Sequence, residues 1–135
     1  MLTDQQKNKL IGRALEARRN AYAPYSGYAV GAALLTKSGE IFTGVNVENA
    51  AYPTGTCAER VAVFKAVSEG ERAFEAIIVG SSNGGTPCGS CRQVLSEFGL
   101  DIQVLIVNDQ GEPVQETTVG ELLPGAFTAQ DLITE

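Results

Sequence analysis

Apolar positions along this chain change their period several times, and each change predicts an element. From Thr3 to about Tyr22 the residues Leu10, Ile11, Ala14, Leu15 and Ala21 recur at helical spacing, with Thr3 or Asp4 as the cap and Pro24 as the limit. Tyr28 to Thr36 is an apolar run with aromatic and β-branched members. The turn-forming Lys37-Ser38-Gly39-Glu40 follows, and Ile41 to Glu48 alternates as a returning strand, which predicts a hairpin. Cys57 to Glu69 sets Val61, Phe64, Ala66 and Val67 on a helical stripe that stops at Gly70, and Phe74 to Gly80 reads as a short buried strand. The order then repeats: a loop of Ser, Asn and Gly, a helix from about Pro87 to Phe98 stopped by Gly99, and a strand from Ile102 to Val107. A turn at Asp109-Gln110-Gly111, a short strand from Pro113 to Thr117 and a helix-like segment near Val119 to Leu123 complete the pattern.

A hairpin followed by alternating helix and strand predicts an α/β fold, with helices on both faces of a mixed five-stranded sheet in three layers. Connections are short and show no linker, so residues 1–135 are expected to form one domain. In such sheets ligands gather at the carboxyl ends of strands. The two segments that hold every cysteine of the chain are predicted to lie there.

Composition limits the kind of ligand. Hydrophobic residues make up 44% and charged residues 19%, as in ordinary soluble globular proteins. The net charge of -6 and the pI near 4.6 argue against a nucleic-acid partner, which needs a basic face, and favour a neutral or weakly charged small molecule. Met1-Leu2-Thr3-Asp4-Gln5-Gln6-Lys7 lacks the basic start and apolar run of a signal peptide, and no apolar segment is long enough to span a bilayer, so a cytoplasmic location without a membrane partner is expected.

The chemistry sits in Thr56-Cys57-Ala58-Glu59-Arg60 and Pro87-Cys88-Gly89-Ser90-Cys91-Arg92-Gln93, each read as a helix start. Cys88 and Cys91 stand at i, i+3 and share a helix face, while helix dipoles at both starts favour thiolates. Three thiolates can hold a zinc ion. With no histidine and no further cysteine, the fourth position is left to water, which is the mark of a catalytic site. A redox pair of Cys88 and Cys91 would leave Cys57 without a role, and three cysteines leave one unpaired under any disulfide scheme. Glu59 has two readings. It completes a capping box with Thr56, or, close to a metal ligand, it moves protons between a bound water and a substrate. Arg60 and Arg92 adjoin the cysteines and are expected to donate to their sulfurs, offsetting the negative charge of three thiolates on a divalent ion.

These two motifs together resemble the zinc nucleoside deaminases, and specifically the short cytidine deaminases. The resemblance extends through Tyr25-Ser26-Gly27-Tyr28-Ala29-Val30-Gly31-Ala32, Gly44-Val45-Asn46-Val47-Glu48-Asn49-Ala50 and Leu122-Leu123-Pro124-Gly125-Ala126-Phe127, in order and spacing, over almost the whole chain. It implies hydrolysis of cytidine and deoxycytidine to uridine and deoxyuridine with loss of ammonia, as in pyrimidine salvage, using one zinc ion per subunit on Cys57, Cys88 and Cys91. Water activated by the metal would attack C4 while Glu59 carries protons to N3 and then to the leaving group. It further implies that Asn46 and Glu48 bind the ribose hydroxyls and that the Ala58 backbone and the Cys88 region contact the pyrimidine edge. Tyr28 would pack on the ring from a position the family usually gives to Phe. The three-cysteine set is similar to that of the homotetrameric branch, in which the Phe127 position walls a neighbour's site. Three alternatives remain at this point: a blasticidin S deaminase with the same zinc set, a polynucleotide-editing deaminase, and a zinc-stabilised binding module without catalysis.

Overall fold

The computed structural model describes residues 2–133. Its elements are α1 (Asp4–Arg18), β1 (Gly31–Thr36), β2 (Ile41–Val45), a 3-10 turn (Tyr52–Thr54), α2 (Ala58–Ser68), β3 (Phe74–Gly80), α3 (Gly89–Ser96), β4 (Gln103–Val107), β5 (Pro113–Thr118), α4 (Val119–Leu122) and α5 (Ala129–Ile133). The five strands form one mixed sheet in the order β2-β1-β3-β4-β5. β1 runs antiparallel to both β2 and β3, β3 and β4 are parallel, and β5 returns antiparallel to β4. The carboxyl ends of β2, β3 and β4 therefore share one end of the sheet. The chain enters α2 after β2 and α3 after β3, so both helices start from that end.

Alternation along the strands divides the core in two. Ala33, Leu35, Ala76, Ile78, Leu105 and Val107 face α1, where Leu10 and Ala14 cover them. Ala32, Leu34, Ile77, Val79, Val104 and Ile106 face the other way, under Ala58, Ala62, Val63 and Ala66 of α2, Leu95 of α3 and Val119 of α4. Covering on both faces explains why β1 is buried throughout, and apolar up to Thr36, rather than alternating. Two glycines set how closely the helices approach. A Cβ at Gly31 would lie 2.1 Å from the Ala14 carbonyl in α1, and one at Gly44 would lie 2.4 Å from the Ala58 carbonyl and 2.5 Å from the Ala62 amide in α2.

The expected hairpin forms, with Leu35 opposite Ile41 and Gly39 taking φ 97° in the turn. Thr3 is the cap of α1: its hydroxyl accepts from the Gln6 amide at 3.1 Å and the Gln6 side chain accepts from the Thr3 amide at 2.9 Å. Several boundaries differ from expectation for visible reasons. α1 stops at Arg18, whose Nε turns to the Ala29 carbonyl at 2.9 Å, and the chain then runs out to pair Tyr22 with Val47. β1 starts at Gly31 rather than Tyr28 and β2 stops at Val45 rather than Glu48, because the Asn46 side chain takes the place of ladder bonds. Its Oδ1 accepts from Val30 N–H at 2.9 Å and its Nδ2 donates to the Tyr28 carbonyl at 2.8 Å. α5 has no counterpart in the sequence pattern, since it buries no residue and leaves Leu132 and Ile133 exposed. Among the described residues, no helix is long and apolar enough to cross a membrane.

The contact at Gly44 is with helix backbone, which has no side chain to swing aside. Gly44→Ala is expected to lower the unfolding free energy by about 2–3 kcal/mol, measured by urea denaturation; a change below about 0.5 kcal/mol would show that α2 can back away without cost.

Candidate active site

Cys57 and Cys88 are the cap residues of α2 and α3, both with extended backbone, and Cys91 lies in the first turn of α3. The parallel sense of β2 and β3 brings these helix starts together. Cys57 Sγ is 3.9 Å from Cys88 Sγ, Cys88 Sγ is 3.5 Å from Cys91 Sγ, and all three sulfurs lie within 4.8 Å of one another. Thiolates at about 2.3 Å from a tetrahedral ion stand about 3.8 Å apart, so the spacing fits zinc. No disulfide joins them. Both cysteines at the caps leave backbone N–H groups of the first helical turns directed toward the sulfurs' end of the helix, where anionic ligands are favoured.

The sulfurs are unequal. The Cys57 thiol is pushed down to about 5, chiefly because Cys91 donates to its sulfur, with Arg60 and Cys88 adding to this and burial opposing it. The Cys91 thiol is raised in turn, first by its bond to Cys57 and then by burial. Arg60 Nη2 donates to Cys57 Sγ at 3.6 Å, as expected from the sequence. Its Nε is buried and, among the described residues, has no hydrogen-bond partner. Arg92 is a correction: it does not turn to a sulfur. Its Nε donates to the Pro87 carbonyl at 2.7 Å, Nη1 to the Leu122 carbonyl at 2.9 Å and Nη2 to Thr86 Oγ1 at 3.0 Å. The guanidinium braces the two residues ahead of Cys88 against the end of α4, its three nitrogens taken up by these oxygen acceptors.

Glu59 is 5% exposed, a rare state for a carboxylate without a cation paired to it. Burial is the main cause that lifts its carboxyl to about 7, helped by the charge on Cys57 and opposed by its own backbone N–H and by Arg60. The capping-box reading fails. The helix begins one residue later than that reading needs, with Cys57 as the cap and no side-chain capping bond, while the Thr56 amide and carbonyl pair with Val47. Glu59 thus keeps its carboxyl for the cavity. That cavity, of about 250 Å3, is lined by Cys57, Ala58, Glu59 and Cys88 on the sulfur side, and on the other side by residues that include Tyr28, Asn46 and Glu48.

All but one of the remaining expected residues meet here. Asn46 and Glu48 lie beyond the end of β2, and the chain between them is held on both sides, by Tyr22 and by Thr56. Asn46 uses one bonding position of each amide atom on the backbone and keeps a second on each. Glu48 accepts from the amides of Tyr25 and Ser26, both at 3.0 Å, and from the Ser26 hydroxyl. Phe127 does not line this cavity; it is 56% exposed, with its carbonyl held by Gln93 Nε2 at 2.9 Å. Ser26 lies in the Tyr25–Ala32 motif, yet the sequence assigns it no role, because its partner Glu48 lies far along the chain.

Those bonds hold the Glu48 carboxyl below the ordinary 4.5, with the Ser26 hydroxyl as the largest cause, the Ser26 amide next and the Tyr25 amide smaller. A carboxyl with a depressed folded value adds stability above the unfolded value, and this is lost as pH falls through the folded one. In a carbon-13 NMR titration Glu48 is expected to titrate below 4.5 and Ser26→Ala to move it back toward 4.5; a parent value at or above 4.5 would contradict the assignment.

Comparison with known proteins agrees with this geometry. Residues 4–107 match the family described as the cytidine and deoxycytidylate deaminase zinc-binding region. The cytidine deaminase of Sporosarcina psychrophila is 50% identical over 127 residues, covering 92% of this chain and 93% of that protein. The cytidine deaminase of Halalkalibacterium halodurans is 51% identical over 129 residues, 93% of this chain and 97% of that protein. The crystal structure of cytidine deaminase from Burkholderia pseudomallei superposes with a TM-score of 0.86 at 46% identity, covering 93% of this chain and all of that one (100%). With three cysteines placed to hold the metal and a buried carboxyl beside them, the chain belongs to the cytidine and deoxycytidylate deaminase family of zinc-binding enzymes.

Proposed function

We propose that the chain is a single deaminase domain that converts cytidine and deoxycytidine to uridine and deoxyuridine, acting in the cytoplasm as a homotetramer in pyrimidine salvage. The observation that carries this reading is the buried carboxyl of Glu59 beside Cys57 and Cys88 on one wall of a 250 Å3 cavity whose other wall offers Asn46 and Glu48. Cys57, Cys88 and Cys91 would hold the zinc ion, which would supply an electrophilic centre able to acidify water. Glu59 takes the proton lost by the attacking water, delivers it to pyrimidine N3 and carries a second to the amine as the C4–N bond breaks, releasing ammonia. Burial raises the Glu59 carboxyl in the metal-free chain, which favours its holding the proton between the two transfers. The free positions of Asn46 and the carboxylate of Glu48 take the sugar hydroxyls. The ring of Tyr28 faces the pyrimidine, and the backbone at Ala58 and Cys88 binds its polar edge. Arg60 withdraws charge from Cys57, whereas Arg92 acts on the metal only through the residues ahead of Cys88.

Replacing Glu59 with Ala is expected to lower kcat for cytidine by at least ~10^3-fold, followed by the ultraviolet change of the base, while bound zinc stays at one ion per subunit. Loss of zinc together with activity would instead make Glu59 a structural residue.

The tetramer draws support from Phe127, an exposed aromatic outside its own chain's cavity. It also draws support from a second hollow of about 330 Å3, lined by Tyr25, Ser26, Glu48, Asn49, Tyr52 and Gly55, which shares Ser26 and Glu48 with the first. A neighbour's aromatic side chain seated there would close the sugar side of the nucleoside. Phe127→Ala is expected to raise KM by at least roughly fivefold in an enzyme that sediments as a tetramer. A fully active monomer would remove both the assembly and this role.

A further inference from the structure

We infer that the Tyr28 hydroxyl is a latch: it holds the loop between β3 and α3 against the opposite wall of the cavity, which makes Tyr28 a positioning residue for the segment leading to Cys88. This rests on the reading of the 250 Å3 cavity as the nucleoside site. Tyr28 lines that cavity, and its hydroxyl is engaged by two residues that do not line it. It lies 2.6 Å from Asn83 Oδ1 and 2.9 Å from Ser81 Oγ, both in the loop that follows β3. Ser81 is 1% exposed, and its hydroxyl also accepts from the amides of Gly84 at 3.0 Å and Gly85 at 3.1 Å. The fit is close: a Cβ at Gly85 would stand 2.5 Å from the Tyr28 hydroxyl oxygen. Glycine at 85 leaves the space that this hydroxyl fills.

The other end of Tyr28 is fastened to the sugar-binding wall. Its amide donates to Ser26 Oγ at 3.0 Å, its carbonyl accepts from Asn46 Nδ2 at 2.8 Å, and Ser26 in turn donates to Glu48. On the far side the loop runs from Gly85 into Thr86 and Pro87, which Arg92 braces, and then into Cys88. Tyr28 thus bonds to both walls, by its backbone to Ser26 and Asn46 and by its hydroxyl to the loop, joining the sugar-binding side to the approach to the metal ligand. A loop of Ser81, Ser82, Asn83, Gly84 and Gly85 has high conformational freedom when untied. Without the latch its ordering falls on the binding step, which weakens substrate binding and leaves the chemical step alone.

The test uses the zinc-loaded full chain with cytidine and compares the parent with Tyr28→Phe, Tyr28→Leu, Gly85→Ala and the Tyr28→Phe/Gly85→Ala double variant, each checked for zinc content and thermal melting. Tyr28→Phe is expected to raise KM roughly three- to tenfold with kcat within about twofold of the parent. Gly85→Ala is expected to raise KM in the parent and to add little in the Tyr28→Phe background, where the atom it meets is gone. A KM unchanged by Tyr28→Phe, a fall in kcat at constant KM, or a Gly85→Ala effect of equal size in both backgrounds would overturn the latch. If Tyr28→Leu raises KM while Tyr28→Phe does not, the latch fails and the ring contact stands. If neither moves KM, the placement of the nucleoside against Tyr28 fails as well.

Discussion

Two helices that begin at the same end of the sheet, close enough for their first residues to share an ion, are the constraint from which the site follows. β2 and β3 lie on either side of β1 and run against it, so the chain leaves both at one end and enters α2 and α3 there. Gly44 lets α2 settle onto β2 with backbone against backbone, and this depth sets where Cys57 and Glu59 lie. A less intimate packing would leave Cys57 too far from Cys88 and Cys91 for one tetrahedral ion. The metal site is therefore a property of sheet direction and helix approach as much as of the cysteines.

The same packing that brings the sulfurs together removes Glu59 from water. An isolated buried carboxylate is costly, and the cost appears as a carboxyl that holds its proton up to about 7. A carboxyl that can both hold and release a proton is the kind of group that the proposed proton transfer at this site requires. The two arginines of the cysteine motifs divide the remaining work. Arg60 reaches Cys57, whereas Arg92 spends its donors on carbonyl and hydroxyl oxygens and holds the chain ahead of Cys88 in place. Two residues with the same side chain thus meet different partners, a sulfur in one case and oxygen acceptors in the other.

The opposite wall is made from irregular backbone, and its order comes from side chains. Asn46 ends β2 by substituting its amide for ladder partners, and Glu48 gathers the amides of Tyr25 and Ser26. Each polar group that faces the cavity is therefore held from behind. Rigid placement of this kind reduces what must be ordered when a small polar ligand binds.

Much of the fold was legible because its signals are local. The stripe of Leu10, Ala14 and Leu15, the Lys37–Glu40 turn, and the stop at Gly70 depend on residues near one another along the chain, and they mark the same elements in the structure. The cysteine spacing likewise carried the metal chemistry, since Cys88 and Cys91 are paired by helix geometry alone. Features that rest on distant partners were not legible: where β1 begins and β2 ends, which Asn46 decides across the hairpin; the failure of the Thr56 cap, which Val47 decides by pairing with its backbone; and the direction of Arg92, which Leu122 decides from the end of α4. The cysteines and their spacing were enough to name the kind of site, because metal ligation depends first on which side chains are present. Only the tertiary structure decided the burial of Glu59, the partner of each arginine and the bonding of Tyr28 to both walls, because burial and long-range hydrogen bonds exist only once remote segments are packed together.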